Sequence, residues 1–185
     1  LGTGQIGTHM LWVAEDQSVI VTVSVGSGTI NIITPYTLPA DLTQPLSKYG
    51  APAKRGSAGA AINDWQETVI KVGTNPEGFD VLKDRAGHPT FIWVANALEG
   101  TVSVIDAATQ RLVQNIPAGV TSANRLRFTL DGRYALVSGE TMPYVAVLDV
   151  STRKVIKRIP IGTGGAGILM DPYGLTAYVS CPPDN

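Results

Sequence analysis

The chain has 185 residues, of which 44% are hydrophobic and 16% are charged. A typical domain has about 25% charged residues, so this charge content is low for a soluble helical protein, whereas the apolar fraction is enough for a core. The net charge of −1 provides no overall field for nucleic acid or an anionic membrane, and no run of 18 apolar residues predicts a membrane span.

A repeat of about 43 residues organises the chain. Glycines close short apolar segments at Gly73, Gly119 and Gly162, with gaps of 46 and 43 residues. Residues 101–106 (TVSVID) match residues 144–149 (YVAVLD), which lie 43 positions further on. A period of this length is typical of repeat architectures built from small supersecondary units.

The first unit carries the same pattern but is longer. Residues 28–33 (GTINII) align with residues 100–105 (GTVSVI) at a distance of 72 positions, so the unit contains an insert of about 30 residues. The insert, residues 35–64, is rich in Pro, Ala, Gly and Ser, and we expect a solvated loop with little fixed structure. Loops of this length are uncommon and often functional, which leaves a binding role as the alternative.

Each unit is predicted to contain four short strands, A to D. Apolar alternation and β-branched residues favour strands over helices, and Asp131-Gly132 between two apolar runs is typical of a hairpin. In the third unit, the predicted strands are 125–129, 133–137, 144–149 and 154–159. Four strands in about 43 residues is the size of one β-propeller blade, so the predicted fold class is all-β, a propeller with four-stranded blades.

Short motifs recur in register along these units. They are residues 76–78 (PEG), 93–96 (WVAN), 100–106 (GTVSVID), 116–119 (IPAG), 130–132 (LDG), 159–162 (IPIG), 171–174 (DPYG) and 178–181 (YVSC). This pattern resembles the YVTN β-propeller repeat family and covers nearly the whole chain except the insert. Residues 83–85 (KDR) depart from the Pro-Asp-Gly turn of the family.

The repeats divide the chain into about three complete blades and half of a fourth. The predicted bounds are about 5–73 for blade 1 with its insert, 74–119 for blade 2, 120–162 for blade 3 and 163–185 for the partial blade 4. The resemblance implies a fragment of a seven-bladed ring, whose remaining blades would be its partners. Apolar positions of strands B and C would fill the layers between blades, namely Ile92, Val94, Val102, Val104, Leu136, Val145 and Val147.

Several single residues suggest chemistry but are better explained by structure. The repeated Asp106 and Asp149, each followed three positions later by a threonine, are predicted to form turns, with a metal-binding or catalytic carboxylate as the alternative. The single cysteine, Cys181, excludes an intrachain disulfide and is expected to be a small buried residue. The tryptophans Trp12, Trp65 and Trp93 are expected to be packing residues.

The candidate ligand site follows from the resemblance. In this family strand A lines a central channel, and the D–A and B–C loops share the face where ligands usually bind. Aligning the blades on their A–B turns places polar residues at this channel mouth, namely His9, Glu77, Asp80, Asn124 and Arg125. They could bind a polar ligand or a metal ion; the alternative is a set of solvated loop residues. His88 falls in an A–B turn on the opposite face, so the two histidines should not meet.

These features predict a non-catalytic binding or scaffold protein that holds a protein or small polar ligand across the channel face. No cofactor is evident, a metal ion is possible, and the near-neutral charge disfavours nucleic acid. A periplasmic or extracellular location is implied by the resemblance only. The alternative is the propeller domain of a haem or copper oxidoreductase, or of a lactonase-like hydrolase, whose remaining ligands lie in further blades. The insert would lie on the opposite face.

Overall fold

The computed structural model describes residues 2–38 and 62–184, which form fourteen strands in four antiparallel sheets. Blade 1 contains β1 Thr8–Val13, β2 Ile20–Ser24, β3 Thr29–Leu38 and β4 Ile62–Lys71. Blade 2 contains β5 Pro76–Lys83, β6 Pro89–Asn96, β7 Thr101–Asp106 and β8 Arg111–Pro117. Blade 3 contains β9 Ala123–Phe128, β10 Tyr134–Gly139, β11 Tyr144–Asp149 and β12 Lys154–Pro160. Blade 4 contains β13 Gly167–Met170 and β14 Ala177–Ser180, followed by a short 3-10 helix at Pro182–Asp184.

Each sheet keeps its strands in chain order, so every blade is a meander. The innermost strands β1, β5, β9 and β13 lie side by side and form what we call the inner wall. This arrangement confirms the predicted all-β propeller with three complete blades and half of a fourth. In residues 2–38 and 62–184, no helix is long and apolar enough to cross a membrane.

Strand bounds in blade 3 differ slightly from the prediction. β9 begins at Ala123 rather than Arg125, and β10 extends to Gly139 rather than Val137. The reason is a register shift between Ser138 and Gly139, which lets β10 continue pairing as far as Ala123. The predicted Asp-Gly hairpin is present, with the Asp131 carboxylate accepting the Arg133 N–H at 3.1 Å.

Side-chain alternation divides each strand between two interblade layers. Ile92 and Val94 of β6 pack towards blade 1, whereas Trp93 between them packs towards blade 3. The Trp93 ring meets Phe128 of β9 edge-on, with ring centroids 5.4 Å apart and an interplanar angle of 66°. All seven residues predicted to fill the layers are buried in this way, the last three of them between blades 3 and 4. One face of each sheet is therefore covered by the next blade, as the fold requires.

Two residues predicted to be buried are not. Trp65 is 41% exposed because it lies where β3 and β4 extend past the other strands of blade 1, paired with Pro35. Cys181 is partly exposed because it follows β14, which belongs to a sheet of only two described strands. Trp12 is partly buried beside the layer between blades 1 and 2, and Trp93 is fully buried.

The ends of the predicted insert are ordered strands. β3 continues to Leu38 and β4 begins at Ile62, and the two remain in antiparallel register from Thr29 opposite Lys71 to Leu38 opposite Ile62. This pairing satisfies backbone groups that a loop would leave to water. The expectation of a solvated loop for residues 39–61 lies outside the described residues.

The connections lie on two opposite faces of the structure. On the loop face, D–A loops contact B–C loops: the Thr74 N–H donates to the Glu99 carboxylate at 2.8 Å, and the Gly165 N–H donates to the Gly139 carbonyl at 3.1 Å. On the turn face, C–D turns contact the A–B side, as when the Ala107 N–H donates to the Thr90 carbonyl at 3.0 Å.

Candidate functional site

Three of the five predicted site residues meet at the loop-face end of the inner wall. His9 is on β1, Glu77 on β5 and Arg125 on β9, so each comes from a different blade. The Glu77 Oε2 atom lies 3.7 Å from His9 Nε2 and 3.7 Å from Arg125 Nη1. We call these three residues the mouth cluster. Its carboxylate stands between two cationic or potentially cationic groups.

Hydrogen bonds to the backbone fix each member of the mouth cluster. His9 Nε2 donates to the Glu77 carbonyl oxygen at 2.8 Å, and Arg125 Nη1 donates to the Asn124 carbonyl oxygen at 3.2 Å. Asn75 Nδ2 donates to Glu77 Oε1 at 3.2 Å from the preceding D–A loop. His9 Nδ1 also lies 3.3 Å from the Gly7 carbonyl oxygen, so both nitrogens of the imidazole contact backbone. The guanidinium and the carboxylate are oriented without using all of their hydrogen-bonding capacity.

Gly78 allows the mouth cluster to form. A Cβ atom at this position would lie 2.5 Å from the Asn124 carbonyl oxygen and 3.0 Å from the Arg125 Cα atom. Only a residue without a side chain lets β5 and β9 approach this closely. A register irregularity between Pro76 and Gly78 also turns Glu77 out of the regular alternation of β5.

The mouth cluster remains open to solvent. The His9 and Arg125 side chains are each 31% exposed and the Glu77 side chain is 22% exposed. Charge separations of 3.7 Å without a direct hydrogen bond contribute little, about 0–1 kcal/mol for exposed pairs. The charged groups thus lie close together without direct hydrogen bonds between their charged atoms. This arrangement suits recognition of a polar molecule.

The Asn124 side chain does not join the mouth cluster, although its carbonyl oxygen accepts from Arg125. Its Nδ2 atom donates to Glu140 Oε1 at 2.6 Å and ties β9 to the B–C loop of blade 3. The side chain is buried, and its Oδ1 atom has no hydrogen-bond partner among the described residues. The Asn124 side chain therefore supports the loop that follows β10.

Asp80 also lies apart, further along β5. Its carboxylate accepts the Phe128 N–H at 2.9 Å and the Arg127 Nη1 at 3.3 Å, so it joins the inner strands of blades 2 and 3. Burial raises the pKa of Asp80 above its ordinary value, and the bonds from Phe128 and Arg127 oppose that rise. Asp80 is thus a largely buried cross-strand acceptor, with 16% of its side chain exposed, rather than a member of the mouth cluster.

Arg127 is a further polar residue of the inner wall that was not among the predicted site residues. From blade 3, its guanidinium bridges blades 2 and 4, because Nη1 contacts Asp80 and Nε donates to the Ile168 carbonyl oxygen at 3.3 Å. The signal was present, since Arg125 and Arg127 are two residues apart and therefore lie on the same side of β9.

Metal-binding capacity was tested on the same residues. Within residues 2–38 and 62–184, no three His, Cys, Asp or Glu residues are grouped closely enough to hold a metal ion. The mouth cluster supplies His9 and Glu77, whereas protein zinc sites use three or four ligands. The metal ion therefore stays a prediction that would need ligands from elsewhere.

The turn aspartates have the predicted structural role. The Asp106 carboxylate accepts the Thr109 N–H at 2.7 Å, and the Asp149 carboxylate accepts the Thr152 N–H at 2.8 Å. Hydrogen bonds from Thr109 lower the pKa of Asp106, and hydrogen bonds from Ser151 and Thr152 lower the pKa of Asp149. They lie on the turn face, away from the mouth cluster.

Comparison with known proteins supports the fold. No family model matches the chain, and no curated protein matches its sequence. Among solved structures, hydrazine synthase from Kuenenia stuttgartiensis matches with a TM-score of 0.69 and 17% identity over 97% of this chain and 43% of that one. A putative 6-phosphogluconolactonase from Bacteroides uniformis matches with a TM-score of 0.64 and 14% identity, over 96% of this chain and 48% of that one. Another from Bacteroides fragilis matches with a TM-score of 0.64 and 18% identity, over the same shares of the two chains.

These likenesses concern the fold alone, because sequence identity does not exceed 18%. The chain spans less than half the length of each of these solved proteins. The described residues of this chain thus form a partial β-propeller that shares its arrangement with proteins about twice its length or more.

Proposed function

We propose that the chain contributes a binding surface for a small polar ligand at the loop-face end of the propeller channel. The observation that carries this proposal is the mouth cluster, in which side chains from three blades converge on Glu77 and remain open to solvent. Arg125 offers hydrogen-bond donors to an anionic or carbonyl oxygen, and Glu77 accepts from a hydroxyl group, while His9 stands beside the Glu77 carboxylate at 3.7 Å. A polyhydroxy acid presents both kinds of group.

A second candidate function is enzymatic. Solved structures with this arrangement carry the names of enzymes, hydrazine synthase and putative 6-phosphogluconolactonase. In this alternative the chain belongs to the propeller domain of a haem or copper oxidoreductase, or of a lactonase-like hydrolase, whose remaining ligands lie in further blades. The mouth cluster would then hold the substrate, with Glu77 as the candidate general base.

Isothermal titration of the protein with gluconate, glucuronate and 6-phosphogluconate tests the binding proposal. At least one of these ligands should bind saturably, and Glu77→Gln and Arg125→Gln should each weaken binding tenfold or more. Arg133→Gln is the matched control, because Arg133 lies in an A–B turn with its guanidinium over the Tyr134 ring, 5.3 Å from the centroid. Saturable binding that is unchanged in Glu77→Gln and Arg125→Gln would contradict the proposal, as would the absence of binding for all three acids.

The enzymatic alternative has its own readout. Hydrolysis of 6-phosphogluconolactone, followed by proton release, should exceed the spontaneous rate and return to it in Glu77→Gln. Binding of 6-phosphogluconate without accelerated hydrolysis would support the non-catalytic proposal over this alternative.

A further inference from the structure

A cleft of about 580 Å³ opens at the turn-face end of the inner wall, between β5 and β9. It is lined on the blade 2 side by Asp80, Lys83 and Arg85, with Arg127 from β9 and Trp12 from β1. We call it the turn-face cleft. Glu77 lies three residues before Asp80 on β5, about 10 Å along the strand, so the cleft is separate from the mouth cluster.

Two acidic groups of the turn-face cleft, Asp84 and Asp131, accept hydrogen bonds from their own turns. Asp84 accepts the Ala86 and His88 N–H groups at 2.8 and 2.9 Å, and Asp131 accepts the Thr129 hydroxyl at 2.6 Å. These bonds lower the pKa of both carboxyl groups. The carboxylate oxygens are thus occupied by donors of their own turns.

The cationic groups of the cleft are not committed in the same way. Arg85 is exposed and makes no hydrogen bond or ion pair with the part of the chain that the structure describes. Lys83 is 3.7 Å from Glu15, whose side chain is 95% exposed and holds the ammonium weakly. Arg127 uses Nε and Nη1 for the Ile168 carbonyl and Asp80, which leaves Nη2 available. Three cations therefore border one cavity with unused donors.

An apolar wall stands beside these cations. Trp12 is partly buried against the layer between blades 1 and 2 and shows its remaining surface to the cleft. Leu82 and Leu130 add further apolar surface, and Leu130 is 62% exposed. Binding cavities of comparable volume combine such apolar walls with a few polar groups that orient the ligand.

We propose that the turn-face cleft binds a small organic anion. Its phosphate or carboxylate group is met by Arg85, Lys83 and the free Nη2 of Arg127, and its flat apolar part packs against Trp12. This site is independent of the mouth cluster, and a molecule bound there leaves the loop face accessible.

Phenyl phosphate is the probe that tests this proposal, with tryptophan fluorescence and isothermal titration as readouts. Phenyl phosphate should bind at least tenfold more tightly than inorganic phosphate or phenol, because only phenyl phosphate meets both the cations and the apolar wall. The fluorescence change should disappear in Trp12→Phe, which leaves Trp65 and Trp93 in place. The exposed pair Lys83→Gln/Arg85→Gln should weaken phenyl phosphate binding at least tenfold.

Two controls separate this site from general charge and from the mouth cluster. Lys154→Gln/Lys157→Gln removes two positive charges from β12, on the outer edge of blade 3, and should leave the phenyl phosphate affinity unchanged. Glu77→Gln should also leave it unchanged, so failure of the mouth-cluster proposal and failure of this one are distinguishable. Equal weakening in both charge pairs, phenol binding as tightly as phenyl phosphate, or no saturable binding would each overturn the proposal.

Discussion

Asp80 shows how one largely buried carboxylate links two blades. It is the acceptor for the Phe128 N–H and the partner of Arg127, yet burial raises its pKa. The folded protein therefore keeps its proton to a higher pH than the unfolded chain does. Ionisation of Asp80 lowers stability as pH rises from about 4 through the raised pKa, because the unfolded state ionises first.

Asp80→Asn tests this linkage. The amide oxygen of asparagine still accepts the Phe128 N–H, but position 80 no longer titrates. Urea denaturation from pH 3 to pH 8 gives the unfolding free energy of both proteins. The unfolding free energy of the wild type, relative to that of Asp80→Asn, should fall as pH rises and then level off. A difference that moves in favour of the wild type with rising pH would show that the Arg127 ion pair outweighs burial.

The turn aspartates should behave in the opposite direction. The pKa values of Asp106 and Asp149 are lowered by hydrogen bonds, so each contributes stability that is present above about pH 4 and lost as pH falls through its folded pKa. The variant Asp106→Asn/Asp149→Asn should therefore lose less stability than wild type between pH 5 and pH 2. The same acid-induced loss in variant and wild type would contradict this role.

At the residue scale, contacts within one turn could be predicted from the sequence, whereas contacts between side chains of different blades could not. The repeated Asp with a threonine three positions later predicted both turns, because the bonds lie within one turn. The pairing of Asp80 with Arg127 depends on β5 lying beside β9, which residue spacing alone does not reveal. The separation of Asn124 from the mouth cluster similarly depends on Glu140 in the following loop.

At the scale of elements, β6 carries the largest buried side chain of the interblade layers. Trp93 is 1% exposed, whereas Trp65 on β4 is 41% exposed, which makes the two tryptophans a matched pair. Trp93→Ala should lower the unfolding free energy by about 3–5 kcal/mol because it leaves a cavity between blades 2 and 3. Trp65→Ala should change it by about 0.5 kcal/mol or less. Similar losses in the two variants, measured by chemical denaturation, would contradict the packing described above.

The close approach of β5 to β9 gives a second prediction at this scale. Gly78→Ala places a Cβ atom against the Asn124 carbonyl oxygen and should destabilise the fold by about 1–3 kcal/mol. Gly2→Ala is the control, because a Cβ atom at Gly2 meets nothing within 4 Å. Equal urea midpoints for Gly78→Ala and wild type would show that β5 and β9 lie further apart than described.

Strands were predictable because alternation is a local property of each segment. The bounds of β9 and β10 moved where a register shift lengthened their pairing, and such irregularities leave little trace in sequence. The extension of β3 and β4 was missed for another reason. Leu38 pairs with Ile62 across a stretch whose Pro, Ala, Gly and Ser content is typical of loops, so composition concealed the pairing.

At the scale of the whole molecule, the inner wall carries two separate polar regions. The mouth cluster lies at the loop face, and the turn-face cleft lies at the other end. Asp80 and Arg127 line the turn-face cleft and link blades 2, 3 and 4. The propeller and its blade count followed from the repeat. The ligand chemistry did not, because it depends on which side chains of neighbouring blades meet.

The central claim is that residues of different blades act as one ligand site, and a double-mutant cycle on ligand affinity tests it most directly. The ligand is whichever of gluconate, glucuronate or 6-phosphogluconate binds best, and the variants are Glu77→Gln, Arg125→Gln and their combination. If the mouth cluster is one site, the double variant should lose less affinity than the two single losses added together, with a coupling energy of about 0.5–3 kcal/mol. Strictly additive losses, or no loss in either single variant, would contradict the account.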